Sequence, residues 1–242
     1  MLRNLTRLAG VALGGLLLAG CTNIAPFGYS EAQEPMAGFG GPEAKSIAVL
    51  PFLDGRTMEK SESGSFYWGL FPLMPYGYLK KPYPERSDDF VSLGRFHFNP
   101  VEDLAAASVL GLKASKLFEQ VSAVRSAAQA GDAEYLWRGT LTDSTYTGAL
   151  LTYGITYFAA PVLWAVGAPE GVSRNTLGVR FELISRKTGN VVWSYDYLGT
   201  DSVVHWIYAR VGKDTSLYPE LMRRAMNQAL ADLSRKLPEL RR

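Results

Sequence analysis

The chain has 242 residues, with 25 Lys and Arg against 23 Asp and Glu and a formal charge of +2 at pH 7. So even a balance leaves no basic footprint for neutralising phosphates and excludes a nucleic-acid binder. A single cysteine excludes a disulfide framework, so the fold must stand on its apolar core, which a chain of this length can bury.

Residues 1–20 have the anatomy of a secretory signal peptide: Arg3 and Arg7 in a basic start, an apolar run from Leu8 to Leu18, then small Ala19 and Gly20. The stretch Leu17-Leu18-Ala19-Gly20-Cys21 resembles the lipobox of bacterial lipoproteins. That resemblance implies cleavage before Cys21 and acyl chains on its thiol and new amino group. More than one chain anchors firmly, because each buried methylene contributes roughly 0.8 kcal/mol. Thr22 follows the cysteine, where in enterobacterial lipoproteins an aspartate signals retention in the inner membrane. The expected location is therefore the periplasmic face of the outer membrane, held by lipid. Loss of Arg3 and Arg7 leaves 23 basic residues against 23 acidic ones, a neutral mature chain.

Residues 21–44 are rich in Gly, Pro, Ser, Ala and Glu without apolar periodicity and are expected to form a flexible tether. Gly38, Gly40 and Gly41 follow no strand and open no helix, so they belong to that linker. Residues 45–242 are expected to be one α+β domain, a mixed β-sheet with packed helices.

Within it, residues 45–52 (KSIAVLPF) form a short apolar run that predicts a buried strand. Residues 58–98 hold many aromatics among prolines and glycines, which predicts an aromatic loop without regular structure. It would serve either as a contact surface, through Phe66, Tyr67, Trp68, Phe71, Tyr76 and Tyr78, or as a cover folded back on the domain's own core.

Asn99-Pro100-Val101-Glu102 is a helix start, with Asn99 as N-cap and Glu102 closing a capping box. Leu104, Ala107, Leu110, Ala114, Leu117 and Val121 follow on one stripe. Residues 149–168 form an uncharged apolar insertion. Its length would allow a membrane span, but Thr152, Gly154, Thr156 and Pro161 favour a buried or membrane-lying segment, two short helices broken near Pro161. Tyr153, Tyr157 and Trp164 in it suit a membrane or partner interface.

Residues 176–198 alternate apolar and polar on either side of Lys187-Thr188-Gly189-Asn190, a β-hairpin with one buried face. Residues 201–214 are ambiguous. Leu221, Met222, Ala225, Met226, Ala229, Leu233 and Leu237 mark an amphipathic C-terminal helix that should end near Pro238.

Four of these segments resemble a known family. Ile47-Ala48-Val49-Leu50-Pro51-Phe52 is similar to the opening strand of the TolB N-terminal domain and of CsgG-like lipoproteins. Leu117 to Val121 resembles that family's passage from helix to short strand, Ala133 to Gly139 its next strand, and TGNVVW with its flanking strands its hairpin. The resemblance implies the α+β fold shared by TolB's N-terminal domain, CsgG, PelC and the synthase activator LpoB.

Signs of chemistry are sparse. His97 and His205 sit among aromatics without metal-ligand spacing and are expected to be structural. No Gly-x-Ser-x-Gly elbow occurs, and lipidation would use the one thiol. The adjacent acids Asp88-Asp89 and Glu102-Asp103 suit a solvated loop and a helix start. No enzyme activity, metal or cofactor is expected beyond the covalent lipid on Cys21.

The anchor, tether and resemblance together imply an assembly or scaffold component of a cell-envelope machine, membrane-bound through its lipid, with an envelope protein as partner and a homo-oligomeric ring as one form. A monomeric tethered regulator of an envelope enzyme and a glycan- or lipid-binding module are the alternatives.

Overall fold

The computed structural model describes residues 25–26, 44–57, 76–84, 96–156, 158–209 and 217–240. Strand β9 (Gly171–Ser185) and strand β10 (Val191–His205) form an antiparallel hairpin longer than the expected one at both ends. Of the ambiguous residues 201–214, those from Asp201 to His205 continue β10, Trp206 and Ala209 close a turn after it, and 210–214 lie outside the described residues. Gly189, at φ +73°, closes the turn by donating its N–H to Ser185 O at 2.8 Å, a conformation open to glycine without strain.

β10 runs along one edge of β9. The other edge is divided between β7 (Tyr135–Asp143) and β8 (Tyr146–Leu151), both antiparallel to it. The change of partner falls at Gly178, where a Cβ would stand 2.6 Å from Thr142 Oγ1. On the far side of β7, β2 (Ala44–Val49) lies parallel to it and to β6 (Phe118–Ala123), and β3 (Leu53–Asp54) also runs parallel to β7. β4 (Tyr76–Lys81) adds antiparallel to β8, completing a mixed eight-stranded sheet. A separate pair joins β1 (Ala25–Pro26) to β5 (Phe96–His97). The expected α+β class with strands in 45–52 and 133–139 is present.

β4 corrects the expectation that prolines and glycines keep residues 58–98 free of regular structure. Residues 76–81 contain no proline, and the open edge of β8 offers them a ladder, Tyr76 opposite Leu151 through Lys81 opposite Tyr146. After it, Pro82 and Pro84 are buried, and Tyr83 donates to Thr57 O at 2.6 Å while Arg56 lies 4.5 Å over its ring. This part of the stretch is folded onto the body.

Helix α1 (Pro100–Ser115) and helix α3 (Leu217–Leu240) cover one face of the sheet. At the start of α1 it is Asp103, not Glu102, that accepts the Asn99 N–H, at 2.7 Å, and the Asn99 side chain caps nothing. The buried stripe is Leu104, Ala107, Ser108, Gly111, Leu112 and Ser115, while Leu110 and Ala114 stand half-buried. Small residues are needed because α3 packs closely here: Ser108 Oγ donates to Met226 Sδ at 3.6 Å, and a Cβ on Gly111 would lie 2.9 Å from Met226 Cε. All seven expected core positions of α3 are fully buried, but the helix continues past Pro238 to Leu240. In the last turn a proline costs only one hydrogen bond and fixes a helical φ.

The core centres on Trp137, fully buried, with Phe181 at 5.2 Å and Trp193 at 5.7 Å between ring centroids. Trp193 Nε1 donates to Asp232 of α3 at 2.9 Å, Tyr195 to Gln228 at 3.2 Å, and Arg224 to Asp201 at 2.9 Å, so α3 is fastened along β10. The opposite face of the sheet carries ion pairs Arg138–Glu182 and Arg180–Asp196, each at 2.7 Å, and only a small apolar cluster of Ala48, Ala130, Leu136 and Ile184.

Trp137 Nε1 is buried without a hydrogen-bond partner, so the ring contributes packing alone. Trp137→Ala should cost about 3–5 kcal/mol. Trp137→Phe, which removes the unpartnered N–H as well as some volume, should cost about 1 kcal/mol; urea titration reads both.

Along α3, the hydrogen bond from Lys236, then that from Trp193, holds the Asp232 carboxyl below its usual range, and Arg223, then Arg224, do the same for Glu220. Both groups bind protons less tightly folded than unfolded. Their stabilisation is therefore complete above the ordinary carboxylate range near pH 4 and is lost as pH falls through the lower folded values. Thermal melts from pH 7 to pH 2 should show this decline, and Asp232→Asn should flatten it.

Candidate functional site

Between β8 and β9 the chain forms a short projecting tip. Tyr153 (φ +55°), Gly154 (φ +79°) and Thr156 (φ +79°) reverse it tightly after Leu151, with Ile155 N–H donating to Thr152 O at 3.0 Å. Helix α2 (Ala160–Ala165) follows, with Pro161 in its first turn, where the missing N–H has no partner to lose. Gly167, at φ +103°, ends it, and the N–H groups of Gly167 and Ala168 return to Trp164 O and Leu163 O at 3.1 and 3.0 Å. The expected pair of helices broken near Pro161 is thus one short helix that begins there, because residues 149–151 are taken by β8. Among the described residues, no helix is long and apolar enough to cross a membrane.

Three polar handles pin the tip. Trp164 is 8% exposed and its Nε1 donates to Leu151 O at 2.9 Å. Tyr153 Oη donates to Pro169 O at 2.6 Å, and Tyr208, from the turn after β10, donates to Ala165 O at 2.8 Å. What remains outside is apolar: Phe158 is 80% exposed, Val166 79%, Tyr208 72% and Val162 67%, with Ile155 and Tyr153 near 40%. Val162 and Val166, four apart, share one side of α2. No charged residue occurs from Ala149 to Pro169. A large side chain left in water forgoes about 1.5–3 kcal/mol of transfer free energy, and here several are left exposed together on a pinned scaffold.

Of the expected contact residues, the structure gathers Tyr76, Tyr153 and Trp164 around Leu151. Tyr76 pairs with it across β4 and β8 and is 49% exposed, Tyr153 follows it by two, and Trp164 bonds its carbonyl. Trp164 itself faces inward and acts as the pin, not the contact. Tyr78 lies in β4 opposite Ala149. Cys21, Phe66, Tyr67, Trp68, Phe71 and Tyr157 lie outside the described residues. Sequence reasoning singled out the uncharged stretch that holds Phe158, Val162 and Val166 but not those side chains, and it missed Tyr208, which lies after β10 and outside that stretch, with no local signal.

Beneath the tip, the helix-facing side of the sheet turns polar. By register, Lys81, Tyr146, Asn175 and Asp201 stand in one row across β4, β8, β9 and β10. In the adjoining rows the Ser173 hydroxyl lies between Tyr146 Oη, at 3.1 Å, and His205 Nε2, at 2.9 Å. Gly148 makes this possible, since a Cβ there would meet the Tyr146 hydroxyl at 2.6 Å. A hydroxyl beside an imidazole has the spacing of a nucleophile and its base. Ser173 and His205 are, however, 2% and 4% exposed and held in paired strands. His205 is thus buried and hydrogen-bonded within the sheet.

The cleft lined by Arg56, Thr57, Lys80, Thr142, Thr145 and Thr176 presents no ready anion site either. Asp54 takes the Arg56 guanidinium at 2.7 Å, and the same group donates to Ser144 Oγ at 2.6 Å. Among the described residues no group of His, Cys, Asp and Glu could hold a metal ion.

Trp164→Ala should leave global stability nearly unchanged while exposing residues 152–169 to limited proteolysis and fast amide exchange, a local opening. Trp164→Phe keeps the packing and loses one hydrogen bond worth about 1 kcal/mol, so exchange there should rise by only about fivefold.

No family model and no curated protein matches the chain. Among solved structures it is similar to a single-substitution variant of the PelC dodecamer from Paraburkholderia phytofirmans, at 14% identity and a TM-score of 0.38 over 82% of this chain and 93% of that one. Protein XCC0632 from Xanthomonas campestris gives 12%, 0.36, 89% and 92%, and a minor lipoprotein from Acinetobacter baumannii 11%, 0.30, 81% and 92%. Likenesses this distant transfer nothing further to this chain.

Proposed function

We propose that this chain is a non-enzymatic lipoprotein of the outer membrane, held by lipid on Cys21, that acts as an assembly or scaffold component of a cell-envelope machine. Its domain belongs, in this reading, with the TolB N-terminal and CsgG-like lipoproteins that its strands resemble. The uncharged tip is its working surface: it seats in the membrane interface next to the lipid anchor and fixes how the domain stands on that membrane.

The observation that carries this reading is the exposure of Phe158, Val162, Val166 and Tyr208 on a tip pinned by three side-chain hydrogen bonds. Apolar side chains over tyrosines with satisfied hydroxyls suit the boundary between headgroups and acyl chains, where one end of a group is dry and the other wet. The absence of charge in the tip removes the cost of carrying an ion there.

Phe158→Asp with Val162→Asp tests this. In the full chain carrying Cys21→Ser, so that no acyl chain contributes, co-flotation with vesicles of phosphatidylethanolamine and phosphatidylglycerol should fall at least tenfold for the double variant. Two apolar side chains of about 1.5–3 kcal/mol each when fully buried leave room for such a fall even if each is only half immersed. Equal flotation of the two proteins, with unchanged circular dichroism, would remove the tip from membrane contact.

A further inference from the structure

The hydrogen bonds of the long hairpin leave one edge open. In β9, Thr176 N–H donates to Thr145 O, and Arg186 N–H, just beyond it, to Glu134 O. Even-numbered residues of β9 therefore direct their backbone groups at β8 and β7, and odd-numbered ones at β10, since the two alternate along a strand. Register pairs odd with odd, Leu183 with Trp193 through Gly171 with His205. Even-numbered residues of β10 must then turn their N–H and C=O groups away from β9. Among the described residues no strand lies on that side. At Ser202 the chain blocks itself, because the N–H bonds Asp201 Oδ1 at 2.8 Å. Ser194, Asp196, Leu198 and Thr200 have no such block, and all four are exposed.

Such an edge is a template for pairing, and natural sheets usually guard theirs with lysine, proline, a bulge or a short strand. From Trp193 to Thr200 there is no lysine, no proline and no register shift, and the one charge, Asp196, is paired with Arg180 of β9. The one large apolar residue on the outer side is Leu198, at 73% exposure.

We propose that this edge pairs with its own equivalent in a second copy of the chain, antiparallel, about a two-fold axis at Leu198. A two-fold makes the contact self-complementary, and of the axes along the open stretch this one suits the side chains. Leu198 meets its own equivalent and Asp196 meets Thr200, and the new ladder stops short of Ser202, whose N–H stays on Asp201; on the helix side Tyr195 stands opposite Asp201. An axis at Asp196 would oppose two carboxylates, and one at Tyr197 would set Leu198 against Asp196. The two sheets become one continuous sheet, with each α3 on the same side. An antiparallel pair sets the two tips at opposite ends of the joined sheet, so both meet one membrane only with the strands lying along its surface; the pairing itself does not depend on that contact.

Leu198→Lys and Leu198→Glu test it, because each puts like charges on the axis in place of an apolar pair. The full chain, purified in detergent and sized by light scattering with detergent mass subtracted, should be a dimer or an even multiple of one. Each variant alone should lower the association constant about tenfold, and an equimolar mixture of the two should restore it. Chance sharing of a micelle would not respond to charge at this position. A monomeric or odd-numbered wild type, variants that assemble as the wild type does, or a mixture no better than its parts would each overturn the proposal. A stronger dimer of Leu198→Lys alone would place the axis at Tyr197, facing lysine with Asp196, and overturn it likewise. Unchanged circular dichroism and flotation show that the fold and tip survive the substitution.

Discussion

Backbone hydrogen bonding along β9 is the constraint on which the rest of the sheet depends. Its odd-numbered residues serve β10 alone, while its even-numbered residues serve β8 and then β7. That division decides which side chains face the helices, because a strand that slips by one residue turns every side chain to the other face. Leu177, Val179, Phe181 and Leu183 must face inward together, which fixes Trp193 and Tyr197 opposite them and hence the line along which α3 docks. Gly178 is the residue that lets one strand end and another begin against β9 without a gap. The parallel strands β2, β3 and β6 are added outside β7 and inherit its register.

The same strand separates two environments. Toward the hairpin turn its inward face is apolar and sealed by α3. Toward the tip that face passes to Asn175, Ser173 and Gly171, and the neighbouring strands supply Tyr146, Lys81 and His205. A buried polar group costs free energy unless it finds a partner. Tyr146, Ser173 and His205 satisfy one another, while the Asn175 amide is buried with neither oxygen nor nitrogen bonded. The molecule is therefore well packed at one end and polar beneath the tip.

Elements whose own residues determine their burial were legible in the sequence. The stripe of α3, from Leu221 to Leu237, and the alternation around TGNVVW are patterns that only one conformation can bury, and both were found where expected. Elements created by a neighbour were not. β4 is a strand because β8 has an edge to fill, and nothing in Tyr-Gly-Tyr-Leu-Lys-Lys reports that edge. In the same way the uncharged run from Ala149 suggests one apolar element, whereas its first three residues belong to β8 and only the remainder forms the tip. Cap details failed for a local reason: Asp103 and Glu102 are both acids in the first turn, and only three-dimensional reach selects the one that accepts the Asn99 N–H. The buried face of α1 was found at Leu104 and Ala107 but departs from the expected stripe at Leu110 and Ala114, because its close partner is α3, which demands Ser108 and Gly111 where an apolar stripe would favour larger residues.

The hairpin's length has a mechanical meaning. Fifteen residues per strand, at about 3.3 Å each, make a ladder roughly 50 Å long. The tip begins where that ladder ends, and Trp193, fastened to α3, sits near its other end. Hydrogen bonds across such a ladder resist sliding of one strand past the other, so the hairpin acts as a stiff lever. α3, tied to β10 at Trp193, Tyr195 and Asp201, shifts with it as one body when the tip is pushed.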